Sequence, residues 1–225
     1  MSADSDSSRL ARERGQVTAQ FFVSRETDER LNQYLALLFE RQKAMNLISP
    51  STQPAVWTRH VADSLQLLPL GAPALRWADL GSGAGFPGLV IACALADTPG
   101  AHVHLIESTQ KKAAFLAEVA ATLRLPVTVH PARVEAVLPG IAPSIDIVTA
   151  RALAPLDTLI GYAAPALERG VKALFMKGRN VEAELTDAKR SWHIGYDLVQ
   201  SQTDPAGRIV VISRAKRIVF RSKTR

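Results

Sequence analysis

Residues 78–88 read Ala-Asp-Leu-Gly-Ser-Gly-Ala-Gly-Phe-Pro-Gly, placing glycines at 81, 83, 85 and 88 around Phe86. The apolar run before them ends at Asp79, and helix-forming residues follow from Pro87. Glycine takes positive φ freely and has no Cβ, so such a loop turns sharply and lets a ligand approach the backbone. Glu107 ends the next apolar run, 26 residues after Gly81, where a carboxylate can accept hydrogen bonds from both hydroxyls of a ribose. Arg133, Val134 and Glu135 follow the third such run, the place where an adenine lies against backbone and apolar side chains. Together these point to a nucleotide-like cofactor.

Which cofactor depends on the register. Gly83 to Gly88 satisfies the dinucleotide pattern G-x-G-x-x-G, which would make the protein an NAD-dependent oxidoreductase. That pattern expects its first glycine directly after the strand. Here the strand ends at Asp79, and a pyrophosphate would meet a carboxylate where bare helix-end amides are needed. S-adenosylmethionine carries a sulfonium and an ammonium, which a carboxylate attracts. The run D-x-G-x-G-x-G from Asp79 matches the pattern of S-adenosylmethionine-dependent methyltransferases and favours that cofactor.

The remaining residues narrow the acceptor. Cytosine C5 methylation needs a cysteine nucleophile, and the single cysteine, Cys93, sits in the apolar run 89–95 as a core residue. Exocyclic amine methylation commonly uses a [DN]-P-P-[YF] loop; after the fourth strand this chain has Ala150-Arg151-Ala152-Leu153-Ala154-Pro155. No general base stands near the glycine loop, which suits a ring nitrogen with a free lone pair. One cysteine also excludes an intramolecular disulfide and a CxxC zinc site, and no metal is expected.

Elements must position these residues. Leu31, Tyr34, Leu35, Leu38, Phe39 and Met45 recur at helical spacing and predict a helix over 27–46, capped by Ser24 or Thr27. A second helix is expected over 54–68. From residue 75 the rhythm alternates: strands at 75–80, 102–107, 127–130, 146–151 and 171–177, with helices at 87–96, 110–123, 133–138, 155–167 and 181–190 between and after them. That alternation predicts an α/β, three-layer, Rossmann-like fold whose parallel sheet is covered on both faces. Two more strands, 194–202 and 207–213 around the turn 203–206, are expected as an antiparallel C-terminal hairpin, making seven strands with five parallel.

Charge supplies the partner. The 225 residues hold 27 Lys and Arg against 21 Asp and Glu, a net +6. Six basic residues and no acidic one fall in 214–225, so the rest of the chain balances at 21 of each. A concentrated basic segment suits a polyanion. Residues 1–15 are polar and read as disordered. With no apolar segment in the first 15 residues and no apolar run long enough for a membrane span, the chain reads as cytoplasmic.

The combination resembles the RsmG (GidB) family, the bacterial small-subunit ribosomal RNA guanine-N7 methyltransferases, over residues 27–213. It does so at Asn46-Leu47, at R-H-x-x-D-S-L from Arg59, at the 79–88 loop, at Ile106-Glu107-Ser108, at Arg133-Val134-Glu135, at Thr149-Ala150-Arg151-Ala152 and at Lys177-Gly178. Two positions depart mildly: Glu107 where relatives often have Asp, and Phe86 where many have Leu. The resemblance implies strand order 3-2-1-4-5-7-6, guanine 527 of 16S rRNA as substrate, and Gly81, Phe86, Val134, Glu135 and Arg151 at the cofactor. With Asp79, Gly83 and Glu107 these form the candidate cofactor set. Asn46, Arg59, His60, Arg133, Lys177 and Arg179 form the candidate RNA set, and Arg151 and His60 are candidate positioning residues. The division expected is a flexible leader at 1–24, a helical extension at 25–72, a methyltransferase domain at 73–213 and a basic tail at 214–225. The partner is 16S rRNA or the 30S subunit, and a monomer is expected. A non-catalytic ribosome-assembly protein would keep the basic surface without needing Asp79 and Glu107.

Overall fold

A computed structural model describes residues 3–218. Seven strands form one sheet: β1 (Arg76–Leu80), β2 (His102–Ile106), β3 (Val127–His130), β4 (Ile147–Arg151), β5 (Lys172–Lys177), β6 (Trp192–Gln200) and β7 (Arg208–Arg217). Their order across it is β3-β2-β1-β4-β5-β7-β6. The first five run parallel, and β7 lies antiparallel between β5 and β6. Both the expected hairpin and the order implied by the resemblance are present. The central strands are apolar on both faces, as a doubly covered parallel sheet requires: β4 buries Ile147, Val148, Thr149 and Ala150.

Helices α1 (Ala3–Gln20), α2 (Arg25–Gln42), α5 (Gly88–Leu95) and α6 (Gln110–Thr122) pack over one face, around Leu31, Leu38, Trp77, Leu89, Leu105 and Phe115. Helices α7 (Val134–Ile141), α8 (Leu156–Leu167) and α9 (Val181–Ser191) cover the other, around Leu80, Ile106, Leu159, Ile160 and Phe175. Strand order reverses between β1 and β4, so the loops leaving their carboxyl ends part there and make a crevice. Among the described residues, no helix is long and apolar enough to cross a membrane.

Two boundaries differ from expectation. Residues 3–20, expected as leader, form α1, held by Arg14 on Asp28 at 2.8 Å, by the Arg14 guanidinium over Trp57 and by Thr58 donating to Glu13 at 3.1 Å. Part of the basic tail is strand: β7 continues to Arg217, with Arg214 to Arg217 paired against Gly195 to Trp192. Residues 219–225 of that tail lie outside the described residues. The expected helix at 54–68 is helical but changes pitch. A 3₁₀ turn (Gln53–Ala55) leads into π turns (Trp57–Ala62), then into α3 (Asp63–Leu65) and α4 (Leu67–Gly71). Helix α2 stops at Gln42. Its side-chain carbonyl accepts from the amides of Leu47 and Ile48, and its amide donates to the Ile48 carbonyl, which fixes the loop containing Asn46.

Candidate functional site

The glycine loop hangs from the carboxyl end of β1. Its first amides, Gly81 and Ser82, donate to the Ile106 carbonyl at 2.8 and 3.1 Å, so β2 holds the bend. Gly81 and Gly83 have φ of +66° and +57°; a Cβ on Gly81 would strike Leu153, whereas one on Gly83 would meet only the Gly81 carbonyl at 3.8 Å and project into open space. Glu107 closes the bend from the next strand: one oxygen accepts from the Gly83 amide at 2.9 Å, the other from Thr109 at 2.7 Å. Tyr34 of α2 donates to the Ala84 carbonyl at 2.7 Å, so the N-terminal helices buttress the loop.

Asp79 does something different from what its place in the motif suggests. It is fully buried beneath the loop and does not line the cleft. One oxygen accepts from Thr149 at 2.9 Å and the other from the Gly88 amide at 3.2 Å, which ties β1, β4 and the start of α5 together. Burial raises it to about 6, with the hydrogen bonds from Thr149, Ser82 and Gly88 opposing the shift. It is a positioning residue, and the expected direct contact with a cofactor cation is not its arrangement here.

The loop, with Glu107, Val134, Glu135, Arg133 and Arg151, walls a cleft of about 450 Å³. Gly81, Gly83, Phe86 and His60 also line it, so the rest of the candidate cofactor set is gathered in one place. Phe86 meets two polar neighbours: the His60 ring stacks on it at 4.8 Å and the Arg151 guanidinium lies over it at 5.3 Å. Burial, reinforced by the nearby Arg151 and Arg59 charges, pushes His60 down to about 3. Its Nε2 lies 2.9 Å from Thr52 Oγ1, while the buried Nδ1 has no partner.

His60, Arg151 and Ala152 also line a second cleft of about 300 Å³, so the two cavities share a wall. Ala152 sits at φ +53°, a left-handed conformation costing a side-chain-bearing residue roughly 1–2 kcal/mol. The second cleft gathers Arg59, Lys177 and Arg208 with Asp63, Glu184 and Asp204; Arg208 donates to the Pro205 and Gly207 carbonyls, and the other charges are paired. Arg59 meets Asp204 at 3.1 Å, Lys177 meets Glu184 at 2.6 Å and Arg151 meets Asp63 at 3.6 Å. Lys177, in the candidate RNA set, is thus mostly buried and committed, and it also donates to the Ala154 carbonyl. Asn46 and Arg179 are exposed but line neither cleft. Asp63, Gln66, Glu184 and Asp204 were missed as site residues. Asp63 stood inside the R-H-x-x-D-S-L segment without a role, and the other three carried no local pattern.

Residues 27–206 match the family model "GidB: rRNA small subunit methyltransferase G". A ribosomal RNA small subunit methyltransferase G of Bradyrhizobium diazoefficiens is 55% identical over 87% of this chain and 75% of its own. Another, of Bradyrhizobium sp. strain ORS 278, is 50% identical over 92% and 94%. Among solved structures, the O-methyltransferase from Bacillus cereus in complex with SAH aligns at TM-score 0.57 with 15% identity, over 81% of this chain and 91% of that one. A mutant of MtNAS in complex with S-adenosylmethionine aligns at 0.55 with 16% identity, over 84% and 76%. The structural likenesses give the fold, and the sequence matches give the lineage. The chain belongs to the GidB family, the rRNA small subunit methyltransferases G, and is an S-adenosylmethionine-dependent methyltransferase.

Proposed function

We propose that the protein methylates N7 of a guanine in 16S ribosomal RNA, guanine 527 by its motif resemblance, acting in the cytoplasm on the RNA or the 30S subunit. The observation that carries this reading is the shared wall of His60, Arg151 and Ala152 between two clefts, which would set a cofactor in one beside a base in the other. The first cleft fits S-adenosylmethionine. Glu107 offers carboxylate acceptors, Gly83 leaves the backbone open, and Phe86 and Val134 supply apolar wall. The start of α5 does not suit a pyrophosphate, because the Gly88 amide is already taken by Asp79. When bound, the cofactor supplies an electrophilic methyl carried on a cationic sulfur.

The chain's own task is alignment. Guanine N7 carries a lone pair and no hydrogen, so methylation there releases no proton, and geometry alone has to be supplied. The wall agrees with that requirement, since a His60 held near 3 is a poor proton acceptor at neutral pH. The stack of His60, Phe86 and Arg151 fixes the wall against which both reactants would rest. The test is incubation of unmethylated 16S rRNA and of 30S subunits with labelled S-adenosylmethionine, followed by mapping. Label at one guanine, with the borohydride- and aniline-induced scission of a 7-methylguanine, is the expected result. Label on an exocyclic amine, a ribose or a cytosine would overturn the N7 reading.

A further inference from the structure

We propose that the second cleft seats the target guanine and that Arg151 and Asp63 together read its O6 and N1–H; this rests on the guanine-N7 reading above. A base in that cleft has one edge against the wall of His60, Arg151 and Ala152, beyond which lies the cofactor cleft. With N7 at the wall, the ring places O6 beside it and N1–H next after O6. The protein offers groups in the same order: Arg151, a donor, on the wall, then Asp63, an acceptor, in the second cleft alone. Adenine presents an amine and a bare nitrogen at those two places, so it would set donor against donor and acceptor against acceptor.

Asp63 is the carboxylate of this cleft equipped for the task. Its Oδ1 is anchored, accepting from Gln66 Nε2 at 2.8 Å and from Thr203 Oγ1 at 2.7 Å. Gln66 is itself held, accepting from the Gln202 amide at 2.8 Å. The other oxygen, Oδ2, lies 3.6 Å from Arg151, beyond hydrogen-bond length, so it retains acceptor capacity. Asp204 has both oxygens engaged, by Arg59 at 3.1 Å and the Ala206 amide at 2.9 Å, and Glu184 has its Oε2 taken by Lys177 at 2.6 Å and the Leu156 amide at 2.7 Å, whereas Asp63 is the carboxylate that stands beside Arg151. Arg151 and Asp63 are about one-fifth exposed, reachable by a base yet shielded from bulk water. At the same wall the 8%-exposed His60 keeps an unpartnered Nδ1, as a surface completed by a ligand would.

The experiment uses 16S rRNA ligated to carry guanine, inosine or 2-aminopurine at the methylated position, with single-turnover rates for the wild type and Asp63→Asn. All three bases have N7. Inosine keeps O6 and N1–H, and the wild type should methylate it about as fast as guanine. 2-Aminopurine lacks both and should react about 5- to 150-fold more slowly. In Asp63→Asn, Gln66 and Thr203 would hold the amide oxygen at the Oδ1 place and put the NH₂ at the Oδ2 place. The guanine rate should then fall, while 2-aminopurine, with an acceptor at N1, is spared, so the guanine to 2-aminopurine ratio drops about tenfold or more. A merely structural Asp63 would lower both rates alike. Overturning results are a wild type that does not distinguish 2-aminopurine from guanine, or a folded variant with an unchanged ratio. If the variant does not fold, the wild-type series decides alone. A wild type that leaves even the guanine RNA unmethylated would instead sink the rRNA reading, and this one with it.

Discussion

Burial keeps His60 neutral, and that neutrality costs stability in acid. Its folded value, about 3, lies below the ordinary 6.5, so between those limits the unfolded chain binds a proton that the folded chain refuses. Stability from this residue is complete above pH 6.5 and is lost as pH falls toward 3. Asp79 works the other way, because its value is raised to about 6 and folding gains as pH drops from 6 toward 3.8. Denaturant midpoints of wild type and His60→Asn isolate the histidine: from pH 6.5 to 5 the variant should gain about 2 kcal/mol relative to wild type. A constant gap would show that the ring is solvated. Glu107 carries the second prediction at this scale. Its carboxylate holds the Gly83 and Thr109 amides while lining the cofactor cleft, so Glu107→Ala should lower S-adenosylmethionine affinity about 10- to 150-fold by calorimetry. Glu107→Gln, which keeps an acceptor, should lose less.

Helix α5 approaches β1 and β2 so closely that Gly88 leaves no room for a methyl group. A Cβ there would lie 2.3 Å from Leu105 Cδ2 and 2.8 Å from Asp79 Oδ2. Gly88→Ala should therefore push α5 off the sheet, cost roughly 1–3 kcal/mol of stability in a denaturant melt and weaken cofactor binding, since the same helix anchors the loop. This packing was half legible. The alternation of strands and helices, the loop at the end of β1 and the placing of Gly81, Gly83, Glu107 and Val134 could be read from the chain, because each depends on local period or on topology, whereas Phe86 and Arg151 entered the set through the family resemblance. The inward turn of Asp79 could not, since its partners Thr149 and Gly88 come together only across the fold. Helix α1 was missed for the same reason. Its sequence has little apolar periodicity, and its contacts to Asp28, Trp57 and Thr58 lie on other elements. The end of β7 was hidden by its charges, although Arg214-Ala215-Lys216 alternates out, in, out as a strand does, with Ala215 buried.

For the whole molecule, the limit of the sheet decides where the basic segment can be cut. Ending the chain at residue 213 would remove the partners of Trp192 to Gly195 and should lower the melting temperature, because Trp192 is buried against the core. Ending it at 218 leaves the ladder of the described residues whole and removes Arg221, Lys223 and Arg225. That shorter cut should keep the melting temperature and the cofactor affinity, weaken binding to all RNA sequences alike, and flatten log affinity against log salt by about 0.7–0.9 for each phosphate that is no longer neutralised. An unchanged slope would show that these three side chains meet no phosphate. The cations at the second cleft obey a different rule. Arg59 and Lys177 each already face a carboxylate of the same chain, so an arriving phosphate must exchange with that resident anion. The net electrostatic gain is then the difference between two anions rather than the neutralisation of a bare charge. Arg59 and Lys177 are thus self-quenched: an RNA that merely brushed past would gain little from them, and only one whose geometry displaced their carboxylates would be retained there.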